Sequence, residues 1–323
     1  MAATPPELVL IGPLRPVLAK GFADLAVRKL GAADGDAFFE SAASLRAIVV
    51  SAPVRPVDEA LMARLPKLQL IASFGVGYDH IDANAAARRG VIVTHTPGVL
   101  TDEVADTAVG LLLCTVRELP QAERYLRAGK WPTGNYPLSR ATLRTRTVGM
   151  VGMGRIGVAI ARRLEAFDLP IVYHTRRQRP ELAYRHYPRL IDMARDVNTL
   201  IVIVPGGAAT KNMIDAQVLD ALGRDGIVIN VARGSVIDEP ALIAALRDGK
   251  IMAAGLDVFV NEPKVPPELL AMDNVVLLPH LGSASVFTRE QMDRLLVDNV
   301  LAWATGKPPL TPVPETPFSS WKQ

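Results

Sequence analysis

Thr147-Val-Gly-Met-Val-Gly152-Met-Gly154-Arg155-Ile156-Gly157 is the stretch on which the reading of this 323-residue chain turns. A short apolar run ends in G-x-G-x-x-G and passes directly into the helical pattern of residues 158–167, giving a strand, a tight turn and a helix in succession. Each glycine has its own task. Gly152 makes the turn, Gly154 lets main chain approach a pyrophosphate, and Gly157 lets the helix pack on the strand. The first N–H groups of that helix, at Arg155 and Ile156, then face phosphate oxygens. G-x-G-x-x-G alone is common by chance; between a strand and a helix it reads as a dinucleotide-binding fingerprint.

The same grammar extends in both directions. Short apolar runs at 7–11, 46–50, 68–74, 91–95, 147–151, 170–174, 199–204, 226–231, 253–259 and 274–278 alternate with helical patterns, which predicts repeated βα units and parallel sheets. The length is too great for one ordinary domain, so two are expected. A helix is predicted from Thr101, with Thr101 and Asp102 as its cap, and another over 285–305. The Pro-rich stretch 307–317 reads as extended and is given no chemistry.

Composition removes several classes of function. Lys and Arg are scattered and the net charge is only +3, which argues against nucleic acid. No run approaches the roughly 18 apolar residues of a membrane span, and residues 1–14 lack a basic leader, so a cytoplasmic protein is expected. The one cysteine, Cys114, lies in an apolar helical stretch and reads as a buried thiol. No metal site is expected.

The strand after the fingerprint ends Tyr173-His174-Thr175-Arg176-Arg177. An enzyme selecting NAD would place a carboxylate there for the ribose hydroxyls; here Thr175 can donate a hydrogen bond, and Arg176 and Arg177 can grip a 2′-phosphate. NADPH is therefore expected over NADH.

Three further runs end in reactive side chains. Gly226-Ile-Val-Ile-Asn-Val-Ala-Arg233 ends in an arginine, Ala254-Gly-Leu-Asp257-Val-Phe-Val-Asn-Glu262 in a glutamate, and Asn274-Val-Val-Leu-Leu-Pro-His280 in a histidine. Reducing a 2-keto acid requires a cation for the carboxylate and carbonyl oxygens, a proton donor for the developing alkoxide, and a partner favouring the charged donor. Arg233, His280 and Glu262 supply these in turn. Singly, each has an ordinary structural explanation.

Together these motifs resemble the D-2-hydroxyacid dehydrogenase family. The likeness covers almost the whole chain and rests on Ser73-Phe-Gly75-Val76-Gly77-Tyr-Asp79-His-Ile-Asp82, Val104-Ala105-Asp106-Thr-Ala108, the Gly152 fingerprint, Asn230-Val-Ala-Arg233-Gly, Leu256-Asp257-Val-Phe, Glu262-Pro263 and Pro279-His280-Leu-Gly282-Ser283-Ala. It implies an α/β fold of two Rossmann-like, doubly wound parallel-sheet domains with a cleft between them. It implies a discontinuous substrate domain, 1–97 with 287–323, and a dinucleotide-binding domain, 98–286. It further implies that Arg233, Glu262 and His280 are catalytic, that the N–H groups of Val76 and Gly77 hold the substrate carboxylate, and that Asp257 contacts the nicotinamide carboxamide.

Within the family, the Thr-Arg-Arg strand end and the stretch 99–106 look like the NADPH-preferring glyoxylate and hydroxypyruvate reductases. The resemblance implies a homodimer. Ser283 and Arg289 are candidates for a polar substituent on the substrate, and Trp131 for a reach into a partner's pocket, with Arg289 equally readable as a surface cation and Trp131 as a core or surface aromatic. Val286 and Phe287 stand where relatives often carry polar residues, so reductases of larger keto acids such as hydroxyphenylpyruvate or 2-ketogluconate stay open. A dinucleotide-sensing, corepressor-like scaffold is the rival of another class, and the chain lacks the long extensions such scaffolds usually carry.

Overall fold

The computed structural model describes residues 7–31, 35–42 and 44–321; positions 1–6 of the stretch read for a leader lie outside them. The chain divides into two compact units, Met1–Leu100 with Val286–Gln323, and Thr101–Ser285.

The first unit is built on five strands, β1 (Glu7–Ile11), β2 (Ala26–Lys29), β3 (Ala47–Val50), β4 (Leu70–Ser73) and β5 (Ile92–Thr94). They form one parallel sheet in the order β2-β1-β3-β4-β5. Because both faces are covered, the inner strands β1, β3 and β4 are buried on successive positions rather than on alternate ones. Val9, Ile11, Ile48, Val50 and Ile71 face one layer containing Leu61, Met62 and Ala85. Leu8, Leu10, Ala47, Val49, Leu70 and Ala72 face the other, which includes Leu296, Val300 and Trp303 of the helix Val286–Ala304. The stretch 307–317 is irregular rather than extended, with bends and a turn at 314–315, and it meets the edge of β5 through a Pro312–Thr94 bridge and the Val313 N–H, which donates to the Val93 carbonyl.

The second unit carries β6 (Val148–Val151), β7 (Ile171–His174), β8 (Arg185–Tyr187), β9 (Thr199–Val202), β10 (Ile227–Asn230), β11 (Ala253–Leu256) and β12 (Val275–Leu277). All are parallel, in the order β12-β11-β10-β9-β6-β7-β8. From β6 the chain winds outward through β7 and β8, then returns and winds the other way through β9 to β12. The turns after β6 and β9 therefore flank the point where the order reverses, where open α/β sheets bind ligands.

Two strands escape the sequence reading, β2 and β8. Each is the outermost strand of its sheet, and their half-exposed sequences, AVRK and RHY, carry charge where an inner strand carries aliphatic residues. The helix from Thr101 runs to Arg117, but Thr101 is its first residue, so Thr101 and Asp102 belong to the first turn rather than to a cap. Asp102 and Glu103 there suit the positive end of the helix dipole. Cys114 lies on this helix and is half-buried rather than buried.

Candidate active site

The fingerprint glycines meet three different surroundings. Gly152 has φ +102, and a Cβ there would stand 2.6 Å from the Ile203 carbonyl oxygen after β9. A Cβ on Gly157 would come within 2.6 Å of the Gly152 oxygen, so helix and turn touch through hydrogen alone. At Gly154 a Cβ would meet nothing within 4 Å. The helix Arg155–Glu165 begins beside that open space with no side chain capping it, and Gly154 and Arg155 are exposed. Its opening N–H groups, with Ile156 and Gly157 in the first turn, form a cradle for an anion.

The segment after β7 lies on the side of the Gly152 turn. Arg176 and Arg177 are exposed and, among the described residues, their guanidinium groups form no ion pair or hydrogen bond within the chain. Thr175 differs from expectation, since its hydroxyl donates to the Arg177 carbonyl at 2.7 Å and so shapes the turn that presents the arginines. Arg179, which sequence reasoning passed over, ties the two segments together. Its guanidinium donates to the Met153 carbonyl inside the fingerprint and to Glu181, and its N–H donates to the Tyr173 hydroxyl.

At the ends of β10, β11 and β12 the structure brings three sequence candidates together. His280 Nδ1 lies 2.7 Å from Glu262 Oε2, and the other carboxylate oxygen, Oε1, accepts the Phe259 N–H at 3.0 Å. Burial pushes the Glu262 carboxyl upward, but the hydrogen bonds from His280 and Phe259 and the charges of His280 and Arg233 outweigh it, holding the group below its ordinary value. An ionised carboxylate only accepts, so Nδ1 carries hydrogen. Nε2 is then the ring atom left for a substrate.

Arg233 is placed by its neighbours. The Asn230 amide donates to the Arg233 carbonyl at 3.0 Å, while its oxygen accepts the Ala232 N–H. A Cβ on Gly234 would stand 2.0 Å from the Phe259 carbonyl carbon, so the segment bearing Arg233 lies directly on the segment leading to Glu262. Asp257 is buried, and its oxygens accept the Leu281 and Gly282 N–H groups at 2.7 and 2.9 Å, while its carbonyl accepts the His280 N–H. Burial raises its carboxyl above the ordinary value despite those two donors. This residue thus fixes the loop that presents His280, a role that no local pattern signals.

Val76 and Gly77 lie in the first unit, in the half-buried segment after β4. Neither N–H finds an acceptor among the described residues. Ser283 is half-buried in the second unit. Arg289 stacks on the Phe74 ring, 5.4 Å from its centroid, and is therefore more than a solvated cation. Trp131 is 62% exposed, which removes the core reading. Among the described residues no cluster of His, Cys, Asp or Glu could hold a metal ion.

A parallel α/β unit with an uncapped glycine turn at its switch point and an imidazole–carboxylate pair at neighbouring strand ends has the form of a nicotinamide-dependent oxidoreductase. The sequence pattern of "D-isomer specific 2-hydroxyacid dehydrogenase, NAD binding domain" matches residues 109–282. Glyoxylate/hydroxypyruvate reductase A of Arabidopsis thaliana is 46% identical over 84% of this chain and 86% of its own length. The 2-ketogluconate reductase of Gluconobacter oxydans is 45% identical over 80% of this chain and 83% of its own. The crystal structure of an NADPH-dependent glyoxylate/hydroxypyruvate reductase from Sinorhizobium meliloti, in complex with NADP and malonate, superposes with a TM-score of 0.91 at 50% identity, covering 97% of this chain and 98% of that one. The chain belongs to the D-2-hydroxyacid dehydrogenase family.

Proposed function

We propose that this protein reduces a small 2-keto acid of the glyoxylate or hydroxypyruvate type to the D-2-hydroxy acid, with NADPH as the reductant. The observation that carries the chemistry is the 2.7 Å pair of His280 Nδ1 and Glu262 on neighbouring strand ends, with the Arg233 charge acting on the same carboxylate. The residues present fit the dinucleotide: open space at Gly154, free N–H groups at Arg155, Ile156 and Gly157, and no carboxylate between Thr175 and Arg177. Relatives support the choice of NADPH, since the Sinorhizobium protein is NADPH-dependent.

Bound NADPH would supply the hydride. The unit containing Val76 and Gly77 acts as the substrate domain, its two N–H groups receiving the carboxylate. Arg233 neutralises the carboxylate and polarises the carbonyl oxygen, and Nε2 of the protonated His280 delivers the proton to the forming alkoxide. Glu262 keeps that imidazole oriented, while Asp257 anchors the loop and would contact the carboxamide. Ser283 serves a polar group on the substrate.

Because Val286 and Phe287 are exposed, and relatives include 2-ketogluconate and hydroxyphenylpyruvate reductases, a larger keto acid is the second reading. No helix among the described residues is long and apolar enough to cross a membrane, and the single cysteine suits a reducing cytoplasm. Loss of reduced-nicotinamide absorbance, with NADPH or NADH against glyoxylate, hydroxypyruvate, hydroxyphenylpyruvate and 2-ketogluconate, tests cofactor and substrate together. Reduction consumes charged His280 and oxidation needs it neutral, so the reductive pH optimum lies below the oxidative one; coincident profiles would remove His280 from proton transfer.

A further inference from the structure

We propose that His95 is a positioning residue for the substrate carboxylate, its Nδ1–H clamping the Val76 carbonyl so that the Gly77 N–H is turned toward the anion. The inference rests on the reading of Val76 and Gly77 as the carboxylate site. His95 Nδ1 lies 2.9 Å from the Val76 oxygen, and a carbonyl only accepts, so Nδ1 carries the hydrogen. The Val76 C=O and the Gly77 N–H belong to one planar trans peptide and point in opposite directions. Fixing the oxygen on the imidazole therefore fixes the N–H on the far side.

That peptide needs fixing because glycine stands on either side of Val76. Gly75 has φ +116, and Gly77 offers no Cβ to resist rotation. A flipped peptide would present carbonyl oxygen to an anion. Gly75 is held at both ends, its N–H donating to Thr96 Oγ1 at 2.9 Å and its carbonyl accepting the Thr96 N–H at 2.9 Å. The next peptide, between Val76 and Gly77, is held instead by the His95 side chain.

His95 is itself braced, through its main chain and through Tyr78, by the Pro-rich stretch that the sequence reading left without a role. The His95 N–H donates to the Thr311 carbonyl, and its carbonyl accepts Thr311 Oγ1 at 2.5 Å. Tyr78 packs edge-on against the ring, 5.5 Å between centroids, and its hydroxyl donates to Glu315 at 2.9 Å.

His95→Phe keeps the ring and its edge contact but removes the donor, while His95→Asn places an amide nitrogen the same number of bonds from the backbone as Nδ1. With NADPH and glyoxylate, His95→Phe is expected to raise KM about tenfold or more, with kcat within about threefold and the NADPH dissociation constant unchanged; His95→Asn recovers most of the loss. Malonate binding to the NADP-loaded protein, read by calorimetry, weakens in parallel and needs no turnover. An unchanged KM and malonate affinity in His95→Phe overturns the inference, as does a kcat loss that His95→Asn fails to restore. Wild-type protein that oxidises NADPH with no keto acid would strike the proposed function instead, and the malonate series would still decide the clamp.

Discussion

Arg233→Ala removes the charge proposed to meet the substrate's oxygens, and the expected result is at least a hundredfold loss in kcat/KM, about 3 kcal/mol of charge-assisted binding. Steady-state kinetics on a variant with an unaltered melting curve checks this; near-normal turnover would release Arg233 from the mechanism. Glu262 makes a different prediction because its folded pKa is lowered. A depressed carboxyl contributes stability above its unfolded value, about 4.3, and loses it as pH falls through the folded value. Glu262→Gln should therefore flatten the acid-side decline of the melting temperature, and identical slopes would deny the coupling. Arg233, Glu262 and His280 were legible because reactive side chains at the ends of apolar runs are chemically conspicuous. Arg179 and His95 were not, nor was the loop-fixing role of Asp257, because each acts on main chain distant in sequence, Met153 for Arg179, Val76 for His95 and Leu281 with Gly282 for Asp257, and no spacing rule encodes such pairings.

Among the elements, the fingerprint turn separates folding from binding. Gly154 faces open space at φ −71, so Gly154→Ala should fold normally and weaken NADPH binding by blocking approach of the pyrophosphate. Gly157→Ala puts its methyl against main chain, so it should also lower stability, by about 1–3 kcal/mol for an overpacked site. Thermal melts beside NADPH titrations distinguish the two; equal melting losses would contradict the geometry. The inner strands were legible because double burial writes them as aliphatic runs such as Ile227–Asn230. β2 and β8, buried on fewer sides, carry no such signature. The helix Leu119–Arg127 was not foreseen either, and it has no buried residue at all.

At the scale of the whole molecule, that helix and its neighbours leave Leu126, Trp131 and Leu138 exposed, Leu138 at 93%, a face that fits the homodimer the family resemblance implies. Light scattering should give twice the chain mass, and Leu126→Asp with Leu138→Asp should shift it toward the monomer; a wild-type monomer would refute the assignment. One further consequence comes from the order of the elements. The sheet of the first unit is complete by Thr94, yet one of its faces is covered by Leu296, Val300 and Trp303. On the ribosome, Thr101–Ser285 emerges unbroken and can settle first, while the earlier-made sheet waits with an oily side open. Nascent chains stalled before residue 286 should thus recruit chaperones through the N-terminal third, and a circular permutant that translates the last helix ahead of β1 should escape that dependence.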